Sequence, residues 1–537
     1  MQHRPEPLAK IPSPLFSGCP QTAVNKPDQA PFHSHMKDKS SSVQFWLVLI
    51  CLLSTGIFLI RITGPTDLES YAQEQNVGYL LDLMTQGHWL VQHDLENTMM
   101  TRPPLHTWLL ALFTALFGLK RLSLALPSFL SLLALGLIVF EAGRRRFGEM
   151  AGGLAAIAFV LSPTMAKQVA LVGSEPVFTL TVTIAALAAF SAWEQGKDGK
   201  KGWLLFCFMA ALVTLINGLP SVALATGGLF SYFWEKRSNP DQPAPGGPHL
   251  AGIALFLVLT LGWFVAASIS QGQALIGTMF YTGLIGDTVS AYRDGWQASD
   301  LFKPTFVLLV RYLPFSLPFL IAVWRVFRHP ASDPGERRFE RFLTCWILFG
   351  LLVLSLARQQ HADHLLPLWP ACALLAGREL ARLAERIGKT RFAGIAVVIG
   401  AILIGSTYAA VNSTSTSVTT HIKPGEGSDY AREMKLAGEA KLAAEAFIAS
   451  GLDANRLHHI DTPVTLQLYL GSFRPFIKRT QLEQILAAAS TPVDVALGKT
   501  GIEELGLAER YPSTRRIFRW PADESFPAVF QVYRISP

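Results

Sequence analysis

The sequence has little charge for its length. Only 16% of the 537 residues are charged, 50% are hydrophobic, and the mean hydropathy is +0.32. This composition excludes a single soluble domain. Apolar runs near the roughly 18 to 20 residues that cross a bilayer recur from residue 44 to residue 411, whereas the sequence from residue 413 onwards is mixed and polar. The pattern predicts a membrane domain followed by a soluble tail.

Cysteine is also scarce. The chain has five: one in the N-terminal segment and four in apolar runs (Cys19, Cys51, Cys207, Cys345 and Cys372). None falls in the tail, so no disulfide framework is indicated. The tail also lacks a Gly-rich phosphate loop and a Cys/His cluster with metal-binding spacing. We therefore expect it to serve in docking or gating rather than in chemistry.

The N-terminal residues 1–43 contain Pro and Ser and show no persistent apolar period. They are predicted to form a disordered cytoplasmic tail. The apolar run that follows has no small-residue cleavage pattern at its end, so we interpret it as a retained anchor.

Five short loops carry most of the basic residues: 143–148, 194–202, 235–249, 325–341 and 377–391. The net charge of +7 is therefore a topology signal and does not indicate nucleic-acid binding. The positive-inside rule places all five loops in the cytoplasm. The apolar segment 105–118 is then too short for a span and would move Arg144 to the outside, so we predict a juxtamembrane or re-entrant helix on the outer face.

The predicted fold is a polytopic α-helical membrane protein of about 11 to 13 spans with a small C-terminal α/β domain. The spans lie near 44–62, 122–142, 149–165, 174–193, 203–217, 219–234, 250–270, 305–324, 342–357, 364–376 and 392–411. The membrane domain is thus 44–412, with a large first outer loop at 63–121. The tail, 413–537, alternates helical and strand-like segments and faces the same outer side.

The outer side carries acids close to fixed cations. The acids are Asp67, Glu69, Glu74, Asp82, Asp94, Glu96 and Glu175, and the bases are Arg102, Lys167, Arg293, Arg311 and Arg358 with His361 and His364. Such an arrangement suits one task well: cations hold a lipid-linked phosphate while a carboxylate deprotonates an acceptor.

Each candidate also has a structural interpretation. Asp67 can be the N-cap of the helix that follows it, and Glu69 and Glu74 can be solvated helix positions. Arg102 can extend to the membrane interface. Glu175 can complement the N-terminus of an apolar helix.

Metal binding is a further alternative. Asp67 and Glu69 resemble the acid pairs that hold divalent cations beside phosphates. The His361 to His364 spacing also suits a metal, but the sequence offers no third ligand nearby. We therefore predict no metal site and no required cofactor.

Several segments occur in an order that resembles a known superfamily. They are a D-x-x-x-YA segment at Asp67, then GHWLVQHDLENTMMTRPPLHTWLLALFTALFG, RLSLALPSFLSLLALGLIVFEAGRRRFG, LSPTMAKQVALVGSEPVFT and LLPLWPACALLAG. Together they resemble the GT-C membrane glycosyltransferases, in particular the lipid A aminoarabinose transferases and the protein O-mannosyltransferases. The resemblance covers most of residues 60–385 and lies in order and spacing.

The resemblance implies an inverting transfer of a sugar from a polyprenyl-phosphate donor to a lipid, glycan or protein acceptor. The enzyme would lie in the bacterial inner membrane with its site and tail in the periplasm. Asp67 occupies the place of the presumed general base, with Glu69 as a helper, and Glu175 that of a later acid. Arg102 corresponds to a lysine that contacts the donor phosphate.

The remaining cations complete this scheme. Arg358 or His364 corresponds to a group ahead of the LLP-like segment, and Arg293 is a further candidate for the phosphate. Because the phosphate leaves without protonation, an inverting transfer needs one base and cationic stabilisation, and a metal is optional.

The sequence departs from the superfamily pattern at three places. Leu68 stands where an acid often follows the first one, Ser70 replaces an arginine, and Asn217 begins a segment that replaces Lys-Gly-Pro. These changes favour a divergent donor or acceptor.

Two other functions remain open. A lipid or solute transporter also has many spans with a few charges, although we find no inverted repeat here. A non-catalytic scaffold of the same fold would tolerate the departures. Loss of Asp67 separates these alternatives, because only an enzyme requires it.

Overall fold

The computed structural model describes residues 32–63, 71–94, 99, 103–240, 247–272, 275, 301–356, 362–417, 440–472, 474–498, 502, 506, 510–524 and 528–536. Contacts divide the chain into two compact units, Met1–Phe45 and Trp46–Pro537.

Helices dominate the first four fifths of the chain. In order they are α1 (Phe32–Ile62), α2 (Tyr71–Gln86), α3 (Leu105–Phe117), α4 (Arg121–Phe147), α5 (Glu149–Val160), α6 (Pro163–Gln168), α7 (Glu175–Gln195), α8 (Lys200–Asn217), α9 (Val222–Thr226), α10 (Ser231–Ser238), α11 (His249–Gln271), α12 (Lys303–Arg311), α13 (Ser316–Arg328), α14 (Pro334–Leu356), α15 (Trp369–Ile387) and α16 (Lys389–Ser417).

Among the described residues, seven helices are long and apolar enough to cross a membrane, which identifies an integral membrane protein. They are Ser42–Ile62, Arg121–Phe147, Glu175–Gln195, Lys200–Asn217, His249–Gln271, Pro334–Leu356 and Lys389–Ala410. Each coincides with a predicted span.

The other four predicted spans fall on short or interrupted helices. Proline accompanies each interruption, because it cannot donate the backbone hydrogen bond that a continuous helix needs. Pro163 starts α6, Pro220 lies in a 3-10 turn before α9, Pro314 lies between α12 and α13, and Pro370 stands at the start of α15. The predicted total of about 11 to 13 spans is therefore matched in part by single long helices.

Helix α1 begins earlier than the predicted boundary of the disordered tail at residue 43. The structure describes the backbone as helical from Phe32. Pro31 is the last proline before the apolar run, so nothing in the sequence after it breaks a helix. The disordered cytoplasmic tail 1–43 stays a prediction, and residues 1–31 lie outside the described part.

Small residues let three helices approach closely. A Cβ added at Gly143 in α4 would lie 2.7 Å from Gly152 Cα in α5, and one at Gly377 in α15 would lie 2.5 Å from the Ala155 amide nitrogen. Close backbone contact through glycine and alanine is a common way for helices to pack in a membrane. Helix α5 is thus in close backbone contact with both α4 and α15.

The five basic loops meet on one side of the bundle. Arg146 pairs with Glu194, and its guanidinium lies 5.8 Å from the Phe339 ring centroid. Ion pairs then join Glu235 to Arg337 and Glu340 to Arg378. These contacts agree with the single-side arrangement that the charge pattern predicts.

The tail contains helix 440–449, called α17, followed by β1 (Leu457–Ile460), α18 (Val464–Leu470), α19 (Arg479–Ala488), β2 (Val493–Leu497), β3 (Arg515–Trp520) and β4 (Phe530–Ile535). The strand order is β1-β2-β4-β3, with β1 parallel to β2 and the other pairs antiparallel. The strands lie within the tail, 413–537, which the sequence predicts to alternate helical and strand-like segments.

Helices cover both faces of this sheet. Phe447 of α17 and Leu466 of α18 pack with Phe530, and Leu482 of α19 packs with Val495 on the other face. Strand β2 is consequently buried along its whole length. Four of its five residues are apolar, as burial on two faces requires, and the fifth, Asp494, pairs with Arg534 of β4 at 2.7 Å.

Candidate functional site

Helix α2 packs against α3 and α4 and contacts the loop before α7. Its apolar face, including Val77 and Leu80, is buried against Leu110 of α3 and Leu124 of α4. The i, i+3, i+4 spacing of the buried positions explains why this stretch is helical. The polar side chains of its first turns therefore face the neighbouring loop.

Two of those side chains clamp one residue of the loop before α7. Gln73 Oε1 accepts a hydrogen bond from the Val172 amide at 3.0 Å, and Asn76 Nδ2 donates to the Val172 carbonyl at 3.0 Å. Because both backbone groups of a buried residue are satisfied, the loop is fixed in position and in orientation.

Neighbouring helices hold the same loop. Ser128 of α4 donates to the Leu171 carbonyl at 2.6 Å, and His106 of α3 hydrogen bonds to the Gly173 backbone. A Cβ at Gly173 would lie 2.5 Å from Glu175 Oε2, so the Glu175 carboxylate folds back over this glycine. Residues 171–175 thus form a segment held by hydrogen bonds from three helices, which we call the Glu175 loop.

The outer loop between α2 and α3 is anchored at both ends. Gln92 accepts a hydrogen bond from Thr107 and donates to the Pro103 carbonyl at 3.3 Å. Trp263 of α11 donates to the Leu90 carbonyl at 3.1 Å, and Trp108 donates to the Trp89 carbonyl at 2.8 Å. Arg102 immediately precedes the residue that Gln92 holds.

The segment before α15 contains an ion pair with the end of α12. Arg311 at the end of α12 lies 3.3 Å from Asp363, next to His364 in the 3-10 helix Ala362–Leu368. Thr164 donates to the Arg311 carbonyl at 3.3 Å. The sequence placed Arg311 on the outer side, but its pairing with Asp363 was not anticipated.

The described structure contains two of the predicted site residues, Glu175 and His364. Glu175 begins α7, and His364 lies in the 3-10 helix Ala362–Leu368. The other five lie outside the described residues: Asp67, Glu69, Arg102, Arg293 and Arg358. Their roles stay predictions.

Glu74 is not the solvated helix position that the sequence suggested. Its Oε1 accepts a hydrogen bond of 2.6 Å from the Thr465 hydroxyl of α18 in the tail. Val464 and Leu468 of the same helix pack against the apolar cluster of α2 and α3. The prediction failed because the partner is remote in sequence.

The sequence reading also missed a cluster of possible metal ligands. Asp82, His88 and His93 each offer a ligand atom, and these atoms lie within 4.8 Å of one another. Burial raises the pKa of Asp82, opposed by its hydrogen bond to His88, and burial lowers the pKa of His93. The available signal was D-x5-H-x4-H, which matches no standard metal-binding spacing.

Comparison with known proteins identifies relatives of this chain. The family model described as dolichyl-phosphate-mannose-protein mannosyltransferase matches residues 101–266. The undecaprenyl phosphate-alpha-4-amino-4-deoxy-L-arabinose arabinosyl transferase 2 of Pseudomonas fluorescens (strain Pf0-1) is 24% identical over 351 residues, which cover 61% of this chain and 59% of that protein. The corresponding transferase of Erwinia tasmaniensis is 22% identical over 344 residues, with 62% and 60% covered. The matched region thus spans about three fifths of these curated relatives.

The fold comparison extends over almost the whole chain. The crystal structure of ArnT from Cupriavidus metallidurans bound to undecaprenyl phosphate superposes with a TM-score of 0.66 and 16% identity, and the match covers 91% of this chain and 98% of that one. At this identity the match establishes the fold. Family model, relatives and fold agree, and the predicted resemblance to the GT-C glycosyltransferases that use polyprenyl-phosphate sugars is confirmed.

Proposed function

We propose that the chain is an inverting glycosyltransferase that moves a sugar from an undecaprenyl-phosphate donor to a lipid, glycan or protein acceptor on the outer face of the bacterial inner membrane. The observation that carries this proposal is the similarity over 351 residues to an arabinosyl transferase named for an undecaprenyl-phosphate sugar. The fold match to ArnT bound to undecaprenyl phosphate supports the same donor class.

The contacts of α2 support a site that uses Asp67, Glu69 and Glu175 together. The segment that carries Asp67 and Glu69 leads directly into α2, whose Gln73 is fixed to Val172. Val172 belongs to the Glu175 loop. In our proposal Asp67 is the base that deprotonates the acceptor, while Glu69 and Glu175 orient it.

The donor phosphate requires cations on the opposite side of the sugar. We assign Arg102, Arg293, Arg358 and His364 to this task. The hydrogen bond from Gln92 to the Pro103 carbonyl, beside Arg102, supports a fixed position for that backbone. Arginine suits the role because its planar guanidinium binds two phosphate oxygens at once.

Inversion follows from this division of charge. The acceptor oxygen attacks the anomeric carbon from the Asp67 side as the bond to the phosphate oxygen breaks, and the proton passes from acceptor to carboxylate. The leaving phosphate keeps both electrons of that bond, and the cations stabilise its charge. In this proposal the tail serves in docking, through the hydrogen bond from Thr465 to Glu74 of α2.

The test is sugar transfer by purified protein in liposomes, with a panel of labelled undecaprenyl-phosphate sugars and with envelope lipids, glycans and proteins as acceptors. We expect Asp67→Asn to reduce kcat by at least about 100-fold, in the range that general-base catalysis contributes. Arg102→Ala should raise the KM for the donor. The matched control is Glu385→Gln, an exposed carboxylate at the other end of the bundle.

The same assay separates the alternatives. Donor binding without turnover in every acceptor mixture would favour a scaffold, and movement of intact donor across the liposome membrane would favour a transporter. Full activity of Asp67→Asn would remove Asp67 from the mechanism.

A further inference from the structure

A compact group of nitrogen and oxygen ligands lies in the outer loop, outside the proposed transfer site. Asp82 belongs to the last turn of α2, and His88 and His93 follow it in the loop. Asp82 and His93 are buried, with 5% and 7% of their surface exposed, whereas His88 is 33% exposed at its side chain. The group is thus open to solvent on one side only.

The end of α2 brings these residues together. Gly87 adopts a left-handed conformation with φ of +75°, and its amide donates to the Leu83 carbonyl at 3.1 Å. This glycine cap ends the helix and reverses the chain, because a residue with a Cβ rarely adopts that conformation. His88 consequently returns to Asp82, with its Nδ1 3.0 Å from both carboxylate oxygens.

The backbone holds one ring nitrogen of the second imidazole. His93 Nδ1 lies 3.2 Å from the Val91 carbonyl, to which it donates, so the other ring nitrogen, Nε2, carries the lone pair. A hydrogen bond from a ligating histidine to a backbone carbonyl is the usual support of a metal ligand. The rings of His88 and His93 are tilted against each other, with centroids 4.2 Å apart and planes inclined by 41°.

The arrangement of these three side chains argues against an ordinary surface contact. One buried carboxylate faces two imidazoles, and all three ligand atoms lie within 4.8 Å of one another. A cation at their centre could bind each ligand atom at about 2.0 to 2.2 Å after small side-chain movements. Two histidines and one carboxylate form the ligand set of many zinc sites and suit other late first-row divalent metals.

We propose that Asp82, His88 and His93 bind a divalent transition metal ion, with Zn²⁺ as the best chemical fit. Three protein ligands leave the fourth tetrahedral position to water on the exposed His88 side. The donor set is unlike the all-oxygen shell that Mg²⁺ or Ca²⁺ prefers.

The metal would fasten the outer loop to the end of α2. His93 forms an isolated antiparallel bridge with Met99, and Gln92 beside it holds the Pro103 carbonyl. A bond from His93 to a metal anchored on Asp82 would therefore restrain the segment that leads to Arg102. The role is structural, and the inference stands whether or not the chain transfers sugar.

The experiment measures metal content and affinity in the full-length protein, purified in detergent through an affinity tag that contains neither histidine nor cysteine. After stripping with a chelator and reloading with Zn²⁺, the wild type should retain about one equivalent by elemental analysis. Reloading with Co²⁺ should give visible absorption bands of a four-coordinate site. Proteolysis of the outer loop should slow when metal is present.

Two variants and a control identify the ligands. His88→Gln, at a partly exposed position that should tolerate the change, and His93→Gln should each weaken Zn²⁺ binding by more than about 100-fold. His458→Gln, in the tail, should bind as the wild type does. Undiminished stoichiometry and affinity in both ligand variants, or no retained metal in the wild type, would overturn the proposal.

Discussion

His459 is a buried histidine whose environment disfavours the protonated imidazole. It lies on β1 with none of its surface exposed, and its Nδ1 is 3.0 Å from the Thr462 hydroxyl. Among the described residues, its Nε2 has no hydrogen-bond partner. Burial lowers the pKa of His459 to about 3, and the nearby charges of Arg474 and His458 lower it further in the same direction.

This histidine should make the tail sensitive to acid. The unfolded chain binds a proton near pH 6.5 and the folded tail only near pH 3, so stability is complete above pH 6.5 and falls as the pH drops below it. At pH 5 the loss from this group is about 2 kcal/mol. Limited proteolysis of the full-length protein between pH 7.5 and 4.5 measures it.

The matched variants are His459→Asn, whose amide can reach Thr462, and His329→Asn at an exposed position. We expect the first to flatten the pH dependence and the second to leave it unchanged. An equally steep profile in His459→Asn would assign the acid sensitivity to other groups.

At the scale of elements, α2 connects three parts of the molecule. Its apolar face packs on α3 and α4, its Gln73 and Asn76 hold the Glu175 loop, and its Glu74 contacts the tail. A short helix outside the spanning set thus holds the loop that carries Glu175. A change in α2 should therefore act at a distance.

Gln73→Ala should release the Glu175 loop. The Val172 amide is buried and loses the Gln73 oxygen that accepts its hydrogen bond, which costs about 1–3 kcal/mol. Hydrogen exchange at Val172 should accelerate, and sugar transfer should fall. Thr85→Ala is the control, because Thr85 is exposed on the same helix and donates to the Leu81 carbonyl within it. Unchanged protection of Val172 in Gln73→Ala would contradict the clamp.

Thr465→Val should loosen the contact between the tail and α2. The change keeps the side-chain shape and removes the hydroxyl that donates to Glu74. We expect faster hydrogen exchange in both α2 and α18, by the equivalent of about 1–3 kcal/mol. Ser513→Ala removes an exposed hydroxyl elsewhere in the tail and should change neither helix.

The elements differ in how far sequence could predict them. VDVAL was predictable as a strand because a short run with four apolar residues out of five fits a strand covered on both faces. The interruptions at Pro220 and Pro314 were not, because hydropathy averages over a window and does not register the loss of one amide donor. The metal cluster depends on the chain reversal at Gly87, which residue spacing alone does not reveal.

At the scale of the molecule, ion pairs join the ends of the helices on the basic side. Glu235, with 1% of its side chain exposed, pairs with Arg337 and Arg341, whereas Glu141 pairs with Arg145 at an exposed position. Charge counting predicted that these loops share a side, since it needs only the number of basic residues. It could not predict the pairing, which depends on helix packing.

These pairs should differ sharply in their contribution to stability. Glu235→Ala leaves two arginines without their partner in a buried setting and should cost about 3–5 kcal/mol. Glu141→Ala removes an exposed pair and should cost no more than about 1 kcal/mol. Thermal unfolding in detergent should therefore show a much lower Tm for the first variant, and equal Tm values would contradict the buried network.

The bond between Glu74 and Thr465 joins residues that are 391 positions apart in the chain. During synthesis, α2 emerges long before its partner helix exists. The apolar surface of α2 and α3 that receives Val464 and Leu468 therefore stays uncovered until those two residues have been made. A chain interrupted before residue 464 should therefore remain a substrate for membrane quality-control proteases.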